Sequence, residues 1–225
     1  MERERDVKRR PTLSTLYSKS FLSTLFLIAC SAPPGSASYA SGNRISTQQQ
    51  QVLRGRKLVL DHGCADCHSI GVPTPSDPGF LAGLADTATP FQIGPFKTRP
   101  RNLTPDNSTG LGRFSERQIF NALRYGLRPG ETPDVEITSI TPGQGNFPAR
   151  PRYLAPPMPW IAFRHMSDEE LYAIAAYLKN GLKPVSNRVL DSEGPPDFWA
   201  SAYAVEKSGR YPAPPFPAAA EKGAQ

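Results

Sequence analysis

With 225 residues, 38% of them hydrophobic, and a mean hydropathy of −0.43, the chain has room for one ordinary domain with tails and is no polytopic membrane protein. Its 25 prolines, 16 of them between Ser46 and Pro184, and 18 glycines describe a loop-rich folded body, and three cysteines exclude a disulfide-dense scaffold. The net charge of +6 falls to +3 once residues 1–29 are set aside, and no Lys/Arg run interleaved with aromatics occurs in the body, so nucleic acid is not an expected partner.

Residues 1–29 carry six basic side chains, and Phe21–Cys30 is a short, mostly apolar run. Ten residues cannot span a bilayer but suit the apolar region of an export signal. The small and polar residues from Ser31 to Asn43 argue against a buried core helix here. Leu27-Ile28-Ala29-Cys30 resembles the lipobox of bacterial lipoproteins, which would leave Cys30 lipidated at the new N-terminus. Ordinary cleavage after Ser38-Tyr39-Ala40 is the alternative. The expected organisation is a signal peptide over 1–29, a linker over 30–45, a folded domain over 46–185 and a Pro/Ala-rich arm over 186–225.

Three helices have start and stop signals. The first runs from about Ser46 or Thr47 to Asp61, with Ser46 and Gln49 in capping-box spacing. Val52 and Val59, with Leu53 and Leu60, recur seven residues apart and predict one apolar stripe. Gly55, mid-helix, costs about 1 kcal/mol of propensity and so predicts close approach by another backbone. The second helix covers Ser115 to Tyr125, burying Ile119 and Leu123 and stopping at Gly126. The third opens on the capping box Ser167-Asp-Glu-Glu170, carries Leu171, Ile174, Ala175 and Leu178 on one face, and closes at Gly181. No alternating strand run is visible, and Pro/Gly-dense loops are expected over 71–112 and 129–159. The segment after Pro184 reads as an extended arm, with docking of Asp197–Tyr203 on the body as the other possibility.

Cys64-Ala-Asp-Cys67-His68 is the Cys-x-x-Cys-His attachment signature for c-type haem. On a helical turn, positions i, i+3 and i+4 share a face. Cys64 and Cys67 can therefore form thioethers with two haem vinyl groups while His68 approaches the iron as the proximal ligand. A redox dithiol would need a βαβ context, and a zinc site would need further donors at ligand spacing; neither is apparent. Export agrees with the haem reading, because c-type haem is attached on the far side of the bacterial inner membrane.

Beyond the apolar leader two methionines remain. Met158 lies in Ala155-Pro-Pro-Met-Pro-Trp160, where flanking prolines favour an extended, stiff backbone able to hold a thioether over the iron. Met166 precedes the cap Ser167 with Leu171 further on, the geometry of a hydrophobic staple. Met158 is thus the expected distal ligand and Met166 a packing residue. His165 and His62 are not expected to bind the iron.

Together with this motif, Asn102-Leu-Thr-Pro-Asp106, Thr109-Gly-Leu-Gly112, Phe114-Ser115, Ala122-Leu-Arg-Tyr-Gly126, Met158-Pro159 and Ser167–Leu171 to Tyr177-Leu178 resemble class I c-type cytochrome domains. The resemblance covers about residues 50–183 and is greatest to haem subunits of periplasmic dehydrogenases. It implies an all-α cytochrome c fold of three to five short helices around one covalent haem, with the first and third helices crossing at Gly55. It further implies His68 and Met158 as axial ligands. The sequence departs from the family in its longer stretch between Gly130 and Met158 and in Phe114, where tryptophan is common. It also has one haem motif where many such subunits carry three.

The expected function is periplasmic electron transfer through one haem c, with a dehydrogenase or a terminal oxidase as redox partner and an optional lipid tether at Cys30. With both axial positions filled no coordination site is open to substrate, so the chain is not read as an enzyme in isolation. The competing expectation is a haem enzyme or a gas or peroxide sensor, should Met158 be labile.

Overall fold

The computed structural model describes residues 46–195, 198–203 and 216–222, so the expected leader, linker and Cys30 lie outside the described residues. The chain runs through α1 (Thr47–Asp61), α2 (Cys64–His68), a hairpin of β1 (Phe91–Ile93) and β2 (Phe96–Thr98), α3 (Glu116–Tyr125), α4 (Trp160–Phe163) and α5 (Asp168–Asn180). A 3-10 turn at Pro129–Glu131 lies between α3 and α4, and another at Ala200–Tyr203 comes after α5. This is an all-α, loop-rich, cytochrome c-like fold with one small hairpin. Among the described residues no helix is long and apolar enough to cross a membrane.

The three long helices begin where their caps place them. Ser46, Ser115 and Ser167 each accept a hydrogen bond from the backbone N–H three residues on, and the side-chain oxygens of Gln49, Gln118 and Glu170 accept one from the cap N–H. Each box satisfies two of the N–H groups that a helix start leaves without partners. Arg124 and Lys179 sit in last turns, where positive charge suits the helix dipole.

The core is the crossing of α1 with α5, joined by α3. Val59 from α1, Ile119 and Phe120 from α3, and Leu171, Ile174, Ala175 and Leu178 from α5 are buried together. Each such aliphatic side chain contributes about 1.5–3 kcal/mol by leaving water. At the crossing, a Cβ on Gly55 would lie 1.8 Å from the Ala173 carbonyl oxygen and 2.8 Å from Tyr177 Cβ. The backbone approach expected from Gly55 is therefore real. It also sets which face of α1 points inward: Val52, Gly55 and Val59 line up at i, i+3 and i+7, whereas Leu53 is turned away and 54% exposed. The stripe is narrower than the sequence pattern implied.

A second, smaller core accounts for the long stretch before Met158. Leu127, Ile137 and Phe147 are buried against Tyr125 and Tyr153. The α3 side chains hold this stretch by its backbone. Asn121 Nδ2 donates to the carbonyls of Pro133 (2.9 Å) and Val135 (3.0 Å), and the Tyr125 hydroxyl donates to that of Ile137 (3.0 Å).

The hairpin was not visible in the sequence. Its strands are three residues each, in the register Phe91 with Thr98, Gln92 with Lys97 and Ile93 with Phe96, which is too short for alternation to register. Glu193 from the C-terminal segment pairs with Lys97 as an antiparallel bridge. Among the described residues of that segment, Val189, Glu193 and Trp199 lie against the body. Val189 and Trp199 are buried, and the Trp199 ring lies 4.8 Å from Phe96 in an edge contact.

Candidate functional site

The end of α1 leads through Gly63, in the left-handed region, directly into α2. This one and a half turns of helix carries Cys64, Cys67 and His68 at i, i+3 and i+4, as the motif requires. Cys64 and Cys67 are both free thiols, Cys67 exposed and Cys64 partly covered. Burial pushes the Cys64 thiol up to about 11, against a smaller opposing effect of a backbone hydrogen bond. That is the reverse of the depressed value that a redox dithiol needs. Among the described residues no three His, Cys, Asp or Glu side chains converge.

His68 is fixed by one hydrogen bond. Its Nδ1 lies 2.7 Å from the Arg101 carbonyl oxygen. A carbonyl only accepts, so Nδ1 carries the proton and Nε2 is left with its lone pair. Burial pulls His68 below its usual value, with the Arg101 carbonyl opposing in part, so the imidazole is neutral at neutral pH. A neutral ring with one nitrogen tied to a carbonyl is the state in which histidine ligates iron.

Arg101 is itself held from the C-terminal segment. Its guanidinium donates to the carbonyls of Val189 and Leu190, both at 3.1 Å, and pairs with Asp191 at 3.5 Å. The neighbouring Asn102 is almost fully buried. Its Nδ2 donates to the Val185 carbonyl (2.8 Å), and its Oδ1 accepts from the Thr104 N–H (2.9 Å).

Met158 lies on the loop that leads into α4. Its N–H donates to the Ala155 carbonyl at 2.9 Å, and its own carbonyl accepts from the Trp160 N–H at 2.9 Å. Upstream, the Leu154 N–H donates to the Gly126 carbonyl at 2.7 Å. Trp160 is buried against Gly126, where a Cβ would meet the indole at 2.3 Å, and its ring stacks with Tyr153. Gly126 also has φ +68, so glycine is required there twice over. Trp160 thus braces the Met158 loop from behind. The half-buried Met166 packs on the core cluster that contains Leu171, in keeping with its expected packing role. His165 is exposed, and His62 lies 5.6 Å from the Phe163 ring. This ring contact brings the turn before Cys64 to α4, which begins two residues after Met158.

A cavity of about 660 Å³ lies between the loops around Arg101 and around residues 109–114, 128–130 and 154–155. Its walls include Arg101, whose carbonyl holds His68, and Ala155, whose carbonyl holds the Met158 turn. The cysteines, His68 and Met158 are not part of the lining itself. Apolar side chains such as Leu111, Phe114, Leu154 and Val189 share the lining with four arginines. Two free thiols and a neutral, oriented imidazole on one turn are the donor set that fits thioether attachment and ligation of a haem. Sequence reasoning found the turn but missed Arg101 and the arginine lining. A backbone carbonyl leaves no mark on residue type, and the arginines come from four separate segments.

No family model matches the chain. It is similar to the gluconate 2-dehydrogenase cytochrome c subunit of Pantoea cypripedii, with 30% identity over 162 residues, 72% of this chain and 30% of that protein. The fructose dehydrogenase cytochrome subunit of Gluconobacter japonicus is 28% identical over 171 residues, 75% of this chain and 28% of its own length. The alcohol dehydrogenase (quinone) cytochrome c subunit of Gluconobacter oxydans is 25% identical over 162 residues, 72% of this chain and 27% of its own. These homologues are cytochrome c subunits of dehydrogenases. The chain spans less than a third of the length of each.

Proposed function

We propose that the chain is a one-haem electron-transfer unit that serves a dehydrogenase on the periplasmic side of a bacterial membrane. The observation that carries this reading is the Cys64–His68 turn, with His68 Nδ1 bound to the Arg101 carbonyl and Nε2 left to bind iron. Similarity to cytochrome c subunits of dehydrogenases supports it independently. Cys64 and Cys67 would hold the haem through two thioethers, and His68 would bind its iron. When bound, the haem supplies reversible one-electron transfer between ferric and ferrous iron. The protein's part is to present His68 as a neutral, oriented ligand and Met158 as a soft distal one, which raises the potential. In this reading residues 1–29 direct export, and Cys30 tethers the mature protein to the membrane.

The test is spectroscopic. Purified protein should keep one haem per chain through acid–acetone extraction, and the pair Cys64→Ala, Cys67→Ala should lose it. Ferric protein should be low-spin, with the weak long-wavelength sulfur-to-iron band. Met158→Ala should abolish that band, lower the potential and open the reduced iron to carbon monoxide, whereas Met166→Ala should leave the band intact. Haem extracted freely from the wild type would end the reading. Ready carbon monoxide binding by the reduced wild type would turn it into that of a sensor or enzyme. Cys30→Ser should move the protein from the membrane fraction to the soluble periplasm.

A further inference from the structure

We propose that Tyr203, on the C-terminal turn Ala200–Tyr203, is a positioning residue that clamps the Met158 loop and so keeps the distal side of the iron closed. This deepens the electron-transfer reading and rests on its choice of Met158 as distal ligand. Met158 stands between two aromatic residues of its own loop, five after Tyr153 and two before Trp160. Their rings stack nearly parallel, with centroids 6.1 Å apart and 7° between the planes. Tyr203 meets both edge-on, 5.0 Å from Trp160 and 5.6 Å from Tyr153, the arrangement that aromatic quadrupoles favour. One side chain from outside the loop thus grips it at two points, with Met158 between them.

The loop has need of an outside hold. Pro156, Pro157 and Pro159 carry no backbone N–H. The bonds from the Met158 N–H to Ala155 and from the Trp160 N–H to Met158 reach at most three residues along the chain, so they shape the turn without tying it to the body. The ties lie at its two aromatic ends. Tyr153 pairs with Leu127 as an antiparallel bridge, and the Trp160 indole fills the place where a Cβ on Gly126 would stand. Tyr203 closes over both rings from a turn that has an anchor of its own. Trp199, the residue before that turn, is buried and meets Phe96 edge-on at 4.8 Å. Arg128 links anchor and loop: its Nε donates to the Tyr153 carbonyl at 3.1 Å, and its guanidinium lies 5.9 Å from the centre of the Trp199 ring.

A thioether held by its loop can be displaced by an added ligand, and the apparent affinity of that ligand rises with the fraction of molecules whose loop has swung away. The test is an imidazole titration of the haem-loaded ferric full chain, followed by loss of the sulfur-to-iron band, with urea unfolding of each variant. Tyr203→Ala removes both edge contacts and should tighten imidazole binding about tenfold. Tyr203→Phe keeps the ring and should keep the wild-type affinity. Should the alanine variant not fold, Tyr203→Leu, which has bulk but no ring edge, should show the same direction. Asn187→Ala lies on the same segment but is bonded to the Ala82 carbonyl; it should lower stability and leave the affinity unchanged. Wild-type affinity in both Tyr203→Ala and Tyr203→Leu overturns the inference and leaves the electron-transfer reading standing. Equal tightening in Asn187→Ala would mark a general loosening, and tightening in Tyr203→Phe would assign the effect to the hydroxyl; either overturns the ring clamp. Wild type that holds covalent haem but lacks the band overturns Met158 as ligand and the inference with it, and wild type without covalent haem overturns the electron-transfer reading as well.

Discussion

Arg124 lies with its side chain only 1% exposed, yet its ion-pair partner Asp168 is 66% exposed. The pair therefore cannot be treated as symmetric. The guanidinium also donates to the carbonyls of Arg164 and, at 2.8 Å, Met166, which are the last backbone groups before the cap of α5, and it sits over the Phe120 ring. Its main role is to satisfy those carbonyls and so to fix the segment that joins the Met158 loop to α5. Arg124→Met leaves them without this donor in a covered site and should lower stability by about 2–3 kcal/mol. Asp168→Asn removes only an exposed charge and should cost under about 1 kcal/mol. Urea unfolding of both variants decides the matter. Equal losses would mean that the ion pair, rather than the carbonyls, is the stabilising contact.

Among the elements, the α1–α5 crossing is set by a single missing methyl group. Gly55→Ala would gain about 1 kcal/mol of helix propensity, but the added Cβ would lie 1.8 Å from the Ala173 carbonyl oxygen. Overpacking of this kind costs about 1–3 kcal/mol or more, and backbone cannot turn aside as a side chain can, so the net effect should be a loss of about 2 kcal/mol. Ala173→Gly should not rescue it, because the obstacle is the carbonyl and not the methyl group; rescue in thermal unfolding would contradict the crossing described. A close backbone approach was legible from Gly55, its partner only from the family resemblance, and the three long helices from their capping boxes, because a cap is a contact between residues three apart. Elements without such local signals were not legible. The four-residue α4 starts after Pro159 with no side-chain cap, and the hairpin strands are too short for alternation. The core of Leu127, Ile137 and Phe147 is built from single apolar residues about ten apart, a spacing that reads as loop. The same division runs through the site. The Cys64–His68 turn is local and could be read directly, whereas Arg101 acts on His68 through a carbonyl that any residue could offer.

At the scale of the whole molecule, the C-terminal segment is part of the site's support. Residues 185–192 run along the loop that contains Arg101 and Asn102. Asn187 Nδ2 donates to the Ala82 carbonyl at 2.8 Å, Asn102 Nδ2 to that of Val185 at 2.8 Å, and Arg101 to those of Val189 and Leu190. Val189 is buried, a contribution of about 1.5–3 kcal/mol, and Trp199 is buried against Phe96. Arg101 thereby joins two jobs in one residue: its side chain holds the segment and its carbonyl holds His68. Truncation after Pro184 should consequently do more than lower the unfolding midpoint. With its guanidinium released, the Arg101 backbone should open more often, and the His68 Nδ1–H proton should exchange with solvent faster, by about tenfold for each 1.4 kcal/mol the loop loses. Asn187→Ala keeps the segment's backbone and Arg101's partners, so it should lower stability modestly and leave that proton protected. Both can be read by proton NMR of the haem-loaded chain, where the imidazole resonances of an axial histidine are resolved from the rest. Should truncation reduce stability while the His68 proton keeps its wild-type exchange rate, the segment is a cover for Phe96 and Asn102 alone, and the link from Arg101 to His68 carries no tension from the C-terminal side.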